Sequence, residues 1–254
     1  MNEFKDYFST QSVDYAKYRP SYPSELFGYL ASVAPHHETA WDCATGNGQA
    51  ALGLAPFFDH VIATDPSVSQ IANAVRNLKV TYQVASAEKT DIESHSIDLV
   101  TVAQALHWFD LDAFYQEANR LLKSGGVLAV WCYNLVEISL EIDRQLQIFY
   151  SDVVGPYWPP ERRLVESHYR TMSFPFKELD PPRFYMQAHW SLSDLLGYLR
   201  TWSATQKFME SQKTDPIPVI GERLSKLWDP SGEEKLLRWP LDLRIGVTAR
   251  APRL

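Results

Sequence analysis

The stretch Thr39-Ala40-Trp41-Asp42-Cys43-Ala44-Thr45-Gly46-Asn47-Gly48 decides how the chain is read. Residues 39–43 (TAWDC) form a short apolar strand, and the small residues after it form a tight turn. Residues 48–57 (GQAALGLAPF) then read as a helix. Glycines at such a junction let the backbone turn sharply and approach a ligand, because no Cβ stands in the way. The first amides of the helix point at the same place.

Strands and helices alternate outward from this point. Residues 60–64 (HVIAT) read as a strand closing on Asp65, 67–78 as a helix, and 80–84 as a strand. Residues 97–103 (IDLVTVA) are almost wholly apolar, which suits a strand buried on both faces. Residues 111–122 are amphipathic and stop before Ser124-Gly125-Gly126, a helix C-terminal signal, with a fifth strand at 127–132. Five strands separated by helices predict an α/β fold with a doubly wound, mostly parallel sheet, whose strand carboxyl ends share one rim. Ligands bind such sheets at that rim, where the strand order reverses.

The pattern changes after residue 135. Helices are expected at 139–154, 161–170, 193–205 and 217–227, and strands at 184–189 and 243–249. A Pro/aromatic stretch, 155–160 (GPYWPP), lies among them. We read this half as a helical insertion covering the rim, followed by strands that complete the sheet. No Gly/Ser linker divides the halves, so 1–254 is read as one domain. Its parts are an extension (1–38), a ligand-binding core (39–135), a substrate-covering insertion (136–205) and a C-terminal helix and last strand (206–254).

Composition narrows the function. The formal charge is −7, which argues against a phosphate backbone as partner. The cysteines, Cys43 and Cys132, fall in apolar strands and read as buried reduced thiols, and no Cys/His spacing suggests a metal site. The N-terminus MNEFKDYFST lacks the apolar core of a signal peptide, and no apolar run is long enough to span a bilayer. The expectation is a cytoplasmic protein, monomer or homodimer, acting on a small molecule without metal, nucleic acid or membrane.

Five motifs carry the chemistry. The turn fits Gly46-x-Gly48-x-x-Ala51, the Ala-ended dinucleotide fingerprint, so alone it does not choose its ligand. Asp42 beside it adds negative charge, which suits a cationic nucleoside better than a pyrophosphate. Asp65 closes the second strand, where a carboxylate accepts both ribose hydroxyls of an adenosine; capping of the next helix through Pro66-Ser67 is compatible with that role. Ala87-Glu88 follows the third strand and is placed to meet an adenine edge. Gln104-Ala105-Leu106-His107-Trp108-Phe109 ends the fourth strand, an unusual cluster of polar and aromatic groups at a binding rim. The segment 15–23 (YAKYRPSYP) precedes the first strand and reads as a lid, with Arg19 as an anion hook.

These pieces, in this order, resemble the class I S-adenosylmethionine (SAM)-dependent methyltransferases, and within them the small-molecule group that includes the trans-aconitate methyltransferase-like proteins. The most specific marks are the lead-in from Tyr15 to Pro23, Gln104-Ala-x-His107-Trp108-Phe109, and Tyr198-Leu-Arg-Thr201-Trp202-Ser203. The resemblance implies a Rossmann-like sheet of seven strands, the last antiparallel. It implies SAM as cofactor, held by Tyr15, Arg19, Asp42, Ala44, Thr45, Gly46, Gly48, Asp65, Pro66, Ser67, Ala87, Glu88, Gln104 and Ala105. Tyr18, His107, Trp108, Trp158 and Trp202 would face the substrate. The family usually has glycine at the position of Ala44.

SAM carries an already activated methyl group, so the protein mainly positions its two ligands. A carboxylate acceptor needs no base, whereas a phenol or amine does, with His107 the candidate. The expected reaction is methylation of a small molecule, a carboxylic acid being one candidate acceptor, with Arg19 or an arginine within residues 155–200 holding an anion. The alternatives are an NAD-dependent oxidoreductase on the same fold and a SAM-binding protein without catalysis.

Overall fold

The computed structural model describes residues 20–228 and 232–249. Helix α1 (Ser24–Val33) leads into β1 (Thr39–Cys43), α2 (Gln49–Leu54), β2 (His60–Asp65), α3 (Val68–Ala72) and β3 (Val80–Val84). Then come β4 (Ile97–Ala103), α4 (Leu111–Leu121) and β5 (Leu122–Tyr133). The later half contains α5 (Leu140–Ile148), α6 (Arg162–Glu166), β6 (Lys177–Leu179) and β7 (Phe184–Trp190). It ends with α7 (Leu192–Arg200), α8 (Ser203–Gln212), α9 (Ile217–Ser225) and β8 (Lys235–Val247).

The sheet order is β3-β2-β1-β4-β5-β8-β6, with β7 also on β8. Strands β1 to β5 pair in parallel, and β8 runs antiparallel to β5. β6 pairs with residues 245–247 of β8 and β7 with residues 235–241, so the two lie end to end along one side of it. Seven positions are therefore filled by eight strands, the outermost broken at Asp180-Pro181-Pro182-Arg183. Two successive prolines donate no ladder hydrogen bonds, which accounts for the break. β6 and β7 both fall inside the span 136–205, so that span is not wholly helical insertion.

The order reverses between β1 and β4: the chain winds outward to β3, then returns to β4. That reversal opens a crevice at the carboxyl ends of these central strands. Apolar side chains pack both faces. One core layer includes Leu26, Leu30, Leu54, Trp131 and Trp239, and the other Trp41, Val100, Phe114, Leu128 and Tyr169. β4 is buried along its length except at Ala103, as its unbroken apolar run requires.

Three expectations need correction. Ser124-Gly125-Gly126 does not end α4, which stops at Leu121. Those residues form an irregularity within β5, where pairing with β4 skips from Leu122 to Val127 and Gly125 adopts φ 76°. Helix α3 is shorter than 67–78. Past it, Val75 and Leu78 are exposed, so the apolar stripe has nothing to pack on. The last strand starts at Lys235 rather than 243, because Pro240, which argues against a central strand, sits on the β7 side opposite Tyr185.

Candidate active site

The turn after β1 carries three left-handed residues: Ala44 (φ 54°), Gly46 (φ 57°) and Gly48 (φ 92°). Thr45 N–H donates to the Thr64 carbonyl at 2.9 Å, which ties the turn to β2. A Cβ on Gly46 would meet nothing within 4 Å, so open space lies over this glycine. A Cβ on Gly48 would lie 2.2 Å from Tyr82 Oη. Ala44 holds its left-handed conformation despite its methyl group, at a cost of about 1 kcal/mol.

Two carboxylates organise this turn. Asp65 accepts the Gly46 N–H at 2.9 Å through Oδ2 and the Ser67 N–H at 2.8 Å through Oδ1. It thereby joins the glycine turn to the head of α3, where Ser67 accepts the Gln70 N–H. Pro66 between them is half-buried.

Asp42 lies beneath the turn and is fully buried. Its oxygens accept the hydroxyls of Thr45 at 2.5 Å and Thr101 at 2.8 Å. The expectation that Asp42 meets a ligand directly is corrected: its carboxyl braces the turn from below, through Thr45. Burial raises its pKa to about 6 against the hydrogen bonds that lower it. A carboxyl with a folded pKa above its unfolded value binds its proton more tightly when folded. Its contribution to stability therefore falls as pH rises from about 4 to about 6. We predict that Asp42→Asn, which cannot ionise, removes this dependence. Denaturant unfolding at pH 4.5 and pH 7 should show wild type losing stability relative to the variant; an equal gap at both would contradict the assignment.

At the end of β4, Gln104 takes a left-handed conformation (φ 57°). Its side-chain Oε1 accepts the Tyr133 N–H at 2.8 Å, and its Nε2 donates to the Tyr133 carbonyl at 3.2 Å. The side chain thus continues the pairing of β4 with β5, and shapes the rim rather than offering an amide to a ligand. Such strain in a non-glycine residue persists where surrounding bonds over-determine it. Ala105 and Ala87 are buried in the same apolar layer. Glu88 accepts the Asp110 N–H at 3.2 Å, which holds the loop before α4.

His107 lies within a short 3-10 turn after β4. Its Nδ1 is 2.8 Å from Tyr169 Oη, and its ring packs 4.6 Å from that of Trp108. Trp108 is 38% exposed, a large aromatic left open at this rim. Burial, aided by the Arg162 guanidinium, depresses the His107 pKa to about 3, so the ring is neutral at ordinary pH. Burial holds the Tyr169 phenol well above its usual range.

The insertion brings an aromatic wall to this place. Tyr150 stacks on Trp158 at 5.0 Å, and Trp202 sits 5.6 Å from Trp158 and 5.9 Å from Tyr150. Trp202 is buried among Phe149, Tyr150, Trp158 and Tyr198, so it backs the wall rather than facing a substrate. Trp158 remains half-buried. The lead-in crosses nearby: the Pro20 carbonyl accepts from Gln49 Nε2, and Tyr22 packs edge-on to Trp131 at 5.4 Å. Tyr15, Tyr18 and Arg19 lie outside the described residues.

Comparison with known proteins agrees with this layout. Residues 41–130 match the family described as Methyltransferase domain. A Dictyostelium discoideum protein named as a methyltransferase is 35% identical over 240 residues, covering 92% of this chain and 91% of that protein. The chain belongs to the class I SAM-dependent methyltransferases. A solved structure from Anaeromyxobacter dehalogenans, of a protein named as a type II methyltransferase, is 41% identical with a TM-score of 0.87, covering 92% of this chain and 99% of that one. A Saccharomyces cerevisiae protein named as a SAM-dependent methyltransferase is 28% identical, over 63% of this chain and 59% of that protein.

The methyltransferase is thus an enzyme with SAM as its cofactor. Its residues fit that group. The space over Gly46 admits a ligand against bare backbone, and the Asp65 carboxylate ends β2 beside that turn. The oxidoreductase and non-catalytic alternatives fall with this assignment. Among the described residues, no helix of the methyltransferase is long and apolar enough to cross a membrane. No His/Cys/Asp/Glu group suited to a metal ion occurs among them either.

Sequence reasoning missed two residues of this site. Tyr169 carries no local signal, because it reaches His107 only through the left-handed pair His168 and Tyr169 (φ 57° each). Tyr150 sits where α5 passes into a π-helical turn, Phe149–Val153, which the 3.6-residue pattern does not reveal.

Proposed function

We propose that this methyltransferase transfers the methyl group of SAM to a carboxylate of a small-molecule acceptor. The observation that carries the reading is that the His107–Tyr169 pair at the rim is poorly suited to take a proton. His107 is held neutral and weakly basic, with its pKa near 3, and the Tyr169 phenol keeps its proton. Burial pushes the Tyr150 phenol to about 12. A phenol or ammonium acceptor needs a base matched to the working pH. A carboxylate already bears the attacking lone pair. The resemblance to trans-aconitate methyltransferase-like proteins supports the same acceptor class.

Bound SAM supplies a methyl group activated by its positive sulfur. The protein's part is to orient and exclude water. Asp65 holds the ribose, the Gly46-Asn47-Gly48 turn takes the methionine portion, and Ala87 and Glu88 flank the adenine. His107 and Trp108 face the acceptor, with Trp158 on the opposite wall. Tyr169 fixes the His107 ring, so His107 is a neutral hydrogen-bonding surface rather than a base. The aromatic lining and the net charge of −7 favour a small molecule over nucleic acid.

The test is a screen of purified protein with methyl-labelled SAM against carboxylic acids, phenols and amines. The expected product is a methyl ester that releases labelled methanol on mild alkaline treatment. Turnover confined to phenols or amines would overturn the reading. With the acid substrate, the pH dependence of kcat should be the same in wild type and His107→Gln between about pH 5.5 and about pH 8, with any shared inflection at about pH 6 coming from Asp42 under the turn. A rise at about pH 6.5 that His107→Gln abolishes would restore His107 as the base.

A further inference from the structure

Arg162 opens α6 in an unusual setting for an arginine. It is only partly exposed, and its Nε donates to the Tyr150 hydroxyl at 2.8 Å. The guanidinium carbon sits 4.9 Å from the centre of the Trp158 ring and 5.4 Å from that of Tyr150. The nearest acid by hydrogen bonding is reached through that phenol, which donates to the exposed Glu166 at 2.5 Å. Among the described residues, no carboxylate lies within 4.0 Å of the guanidinium, whereas Arg120, Arg200 and Arg244 all have one. Its two terminal nitrogens make no hydrogen bond to a described residue. Helix α6 packs at the carboxyl end of β5, where Asn134 Nδ2 donates to the Val165 carbonyl at 3.1 Å, and the charge of Arg162 is felt at His107, Tyr169 and Cys132.

We propose that Arg162 is the specificity-determining residue for the acceptor, binding a carboxylate through Nη1 and Nη2. The assignment rests on the carboxylate reading above. A guanidinium presents paired donors in one plane, which match the two oxygens of a carboxylate. The phenol on Nε and the Trp158 ring beside the guanidinium hold its plane, and Nη1 and Nη2 stay available for a ligand. A carboxylate paired there loses nucleophilicity, so Arg162 holds an anionic group that is not the one methylated. The acceptor therefore carries at least two anionic groups, and Arg162 acts on binding more than on the chemical step.

Two measurements test this. First, aliphatic mono- and dicarboxylates of two to six carbons are titrated onto protein loaded with S-adenosylhomocysteine, with tryptophan fluorescence as readout, since Trp158 stacks on Arg162. Wild type should show saturable change with a dicarboxylate, Arg162→Met should lose it, and Arg162→Lys should recover part of it. Both variants should bind S-adenosylhomocysteine like wild type, which shows that the fold is intact. Second, with an acid that wild type methylates, Arg162→Met should raise KM by about 10- to 100-fold, the worth of a charged hydrogen-bond pair, and change kcat far less. Saturable binding that survives in Arg162→Met, an unchanged KM, or no binding of any acid by wild type would overturn the role of Arg162. Methylation of acids with an unchanged KM would do so while leaving the carboxylate reading standing. Turnover of phenols or amines alone would bring down that reading itself.

Discussion

Replacing Gly48 with alanine is expected to destabilise the protein by about 2–5 kcal/mol and to abolish measurable SAM binding. Two costs add. The residue sits at φ 92°, where an L side chain is strained by about 1–2 kcal/mol. Its new Cβ would lie 2.2 Å from Tyr82 Oη and 2.9 Å from two ring carbons, so the whole ring must move, at about 1–3 kcal/mol. Tyr82 is anchored by donating to the Val75 carbonyl at 2.9 Å, which resists that movement. Gly46→Ala makes the contrast. Its Cβ meets nothing within 4 Å, so the stability loss should be confined to the backbone strain while SAM affinity falls steeply. Denaturant unfolding and calorimetric titration with S-adenosylhomocysteine separate the two effects. Removing the ring by Tyr82→Ala should restore part of the stability lost in Gly48→Ala. If Gly48→Ala unfolds at the wild-type midpoint, the turn is not packed as described.

Asp65→Ala is expected to weaken SAM binding by about 100-fold, on the scale of two lost hydrogen bonds to a charged group. The carboxylate joins two loops, accepting the Gly46 N–H from one and the Ser67 N–H from the other. Without it both amides lose their acceptor and the ribose hydroxyls lose theirs. Asp65→Asn keeps the size and one acceptor oxygen, so it should fall between wild type and alanine. A folded Asp65→Ala protein that binds S-adenosylhomocysteine with wild-type affinity would place the ribose elsewhere.

The parallel half of the sheet was legible in the sequence because its signals are local. Strands 39–43, 80–84 and 97–103 match β1, β3 and β4 residue for residue: apolar runs mark the buried β1 and β4, and β-branched and aromatic residues mark the edge strand β3. The glycine turn was legible for the same reason. What depends on distant partners was not. β6 has three residues, two of them exposed, and exists because β8 pairs with it. The helix read at 193–205 is two helices, α7 and α8, divided at Thr201-Trp202, where buried Trp202 leaves the helical conformation to pack against Trp158.

The site shows the same division. Residue types at the rim were readable, but their engagement was not. Asp42, Gln104 and Trp202 were each expected to meet a ligand, and each is taken up by neighbours: threonine hydroxyls, the Tyr133 backbone and an aromatic cluster. Arg162 stood in the sequence as half of an Arg-Arg pair. Only the fold sets it beside the Tyr150–Trp158 pair and brings its charge to His107.

The most direct test of the account is a crystal structure of the protein with S-adenosylhomocysteine. We predict the ribose on Asp65, the amino-acid end over Gly46 and Gly48, and the sulfur turned toward His107 and Trp108, with Arg162 lining the space beyond it. A ligand whose sulfur points away from His107, toward α3 and the β3 edge, would contradict it.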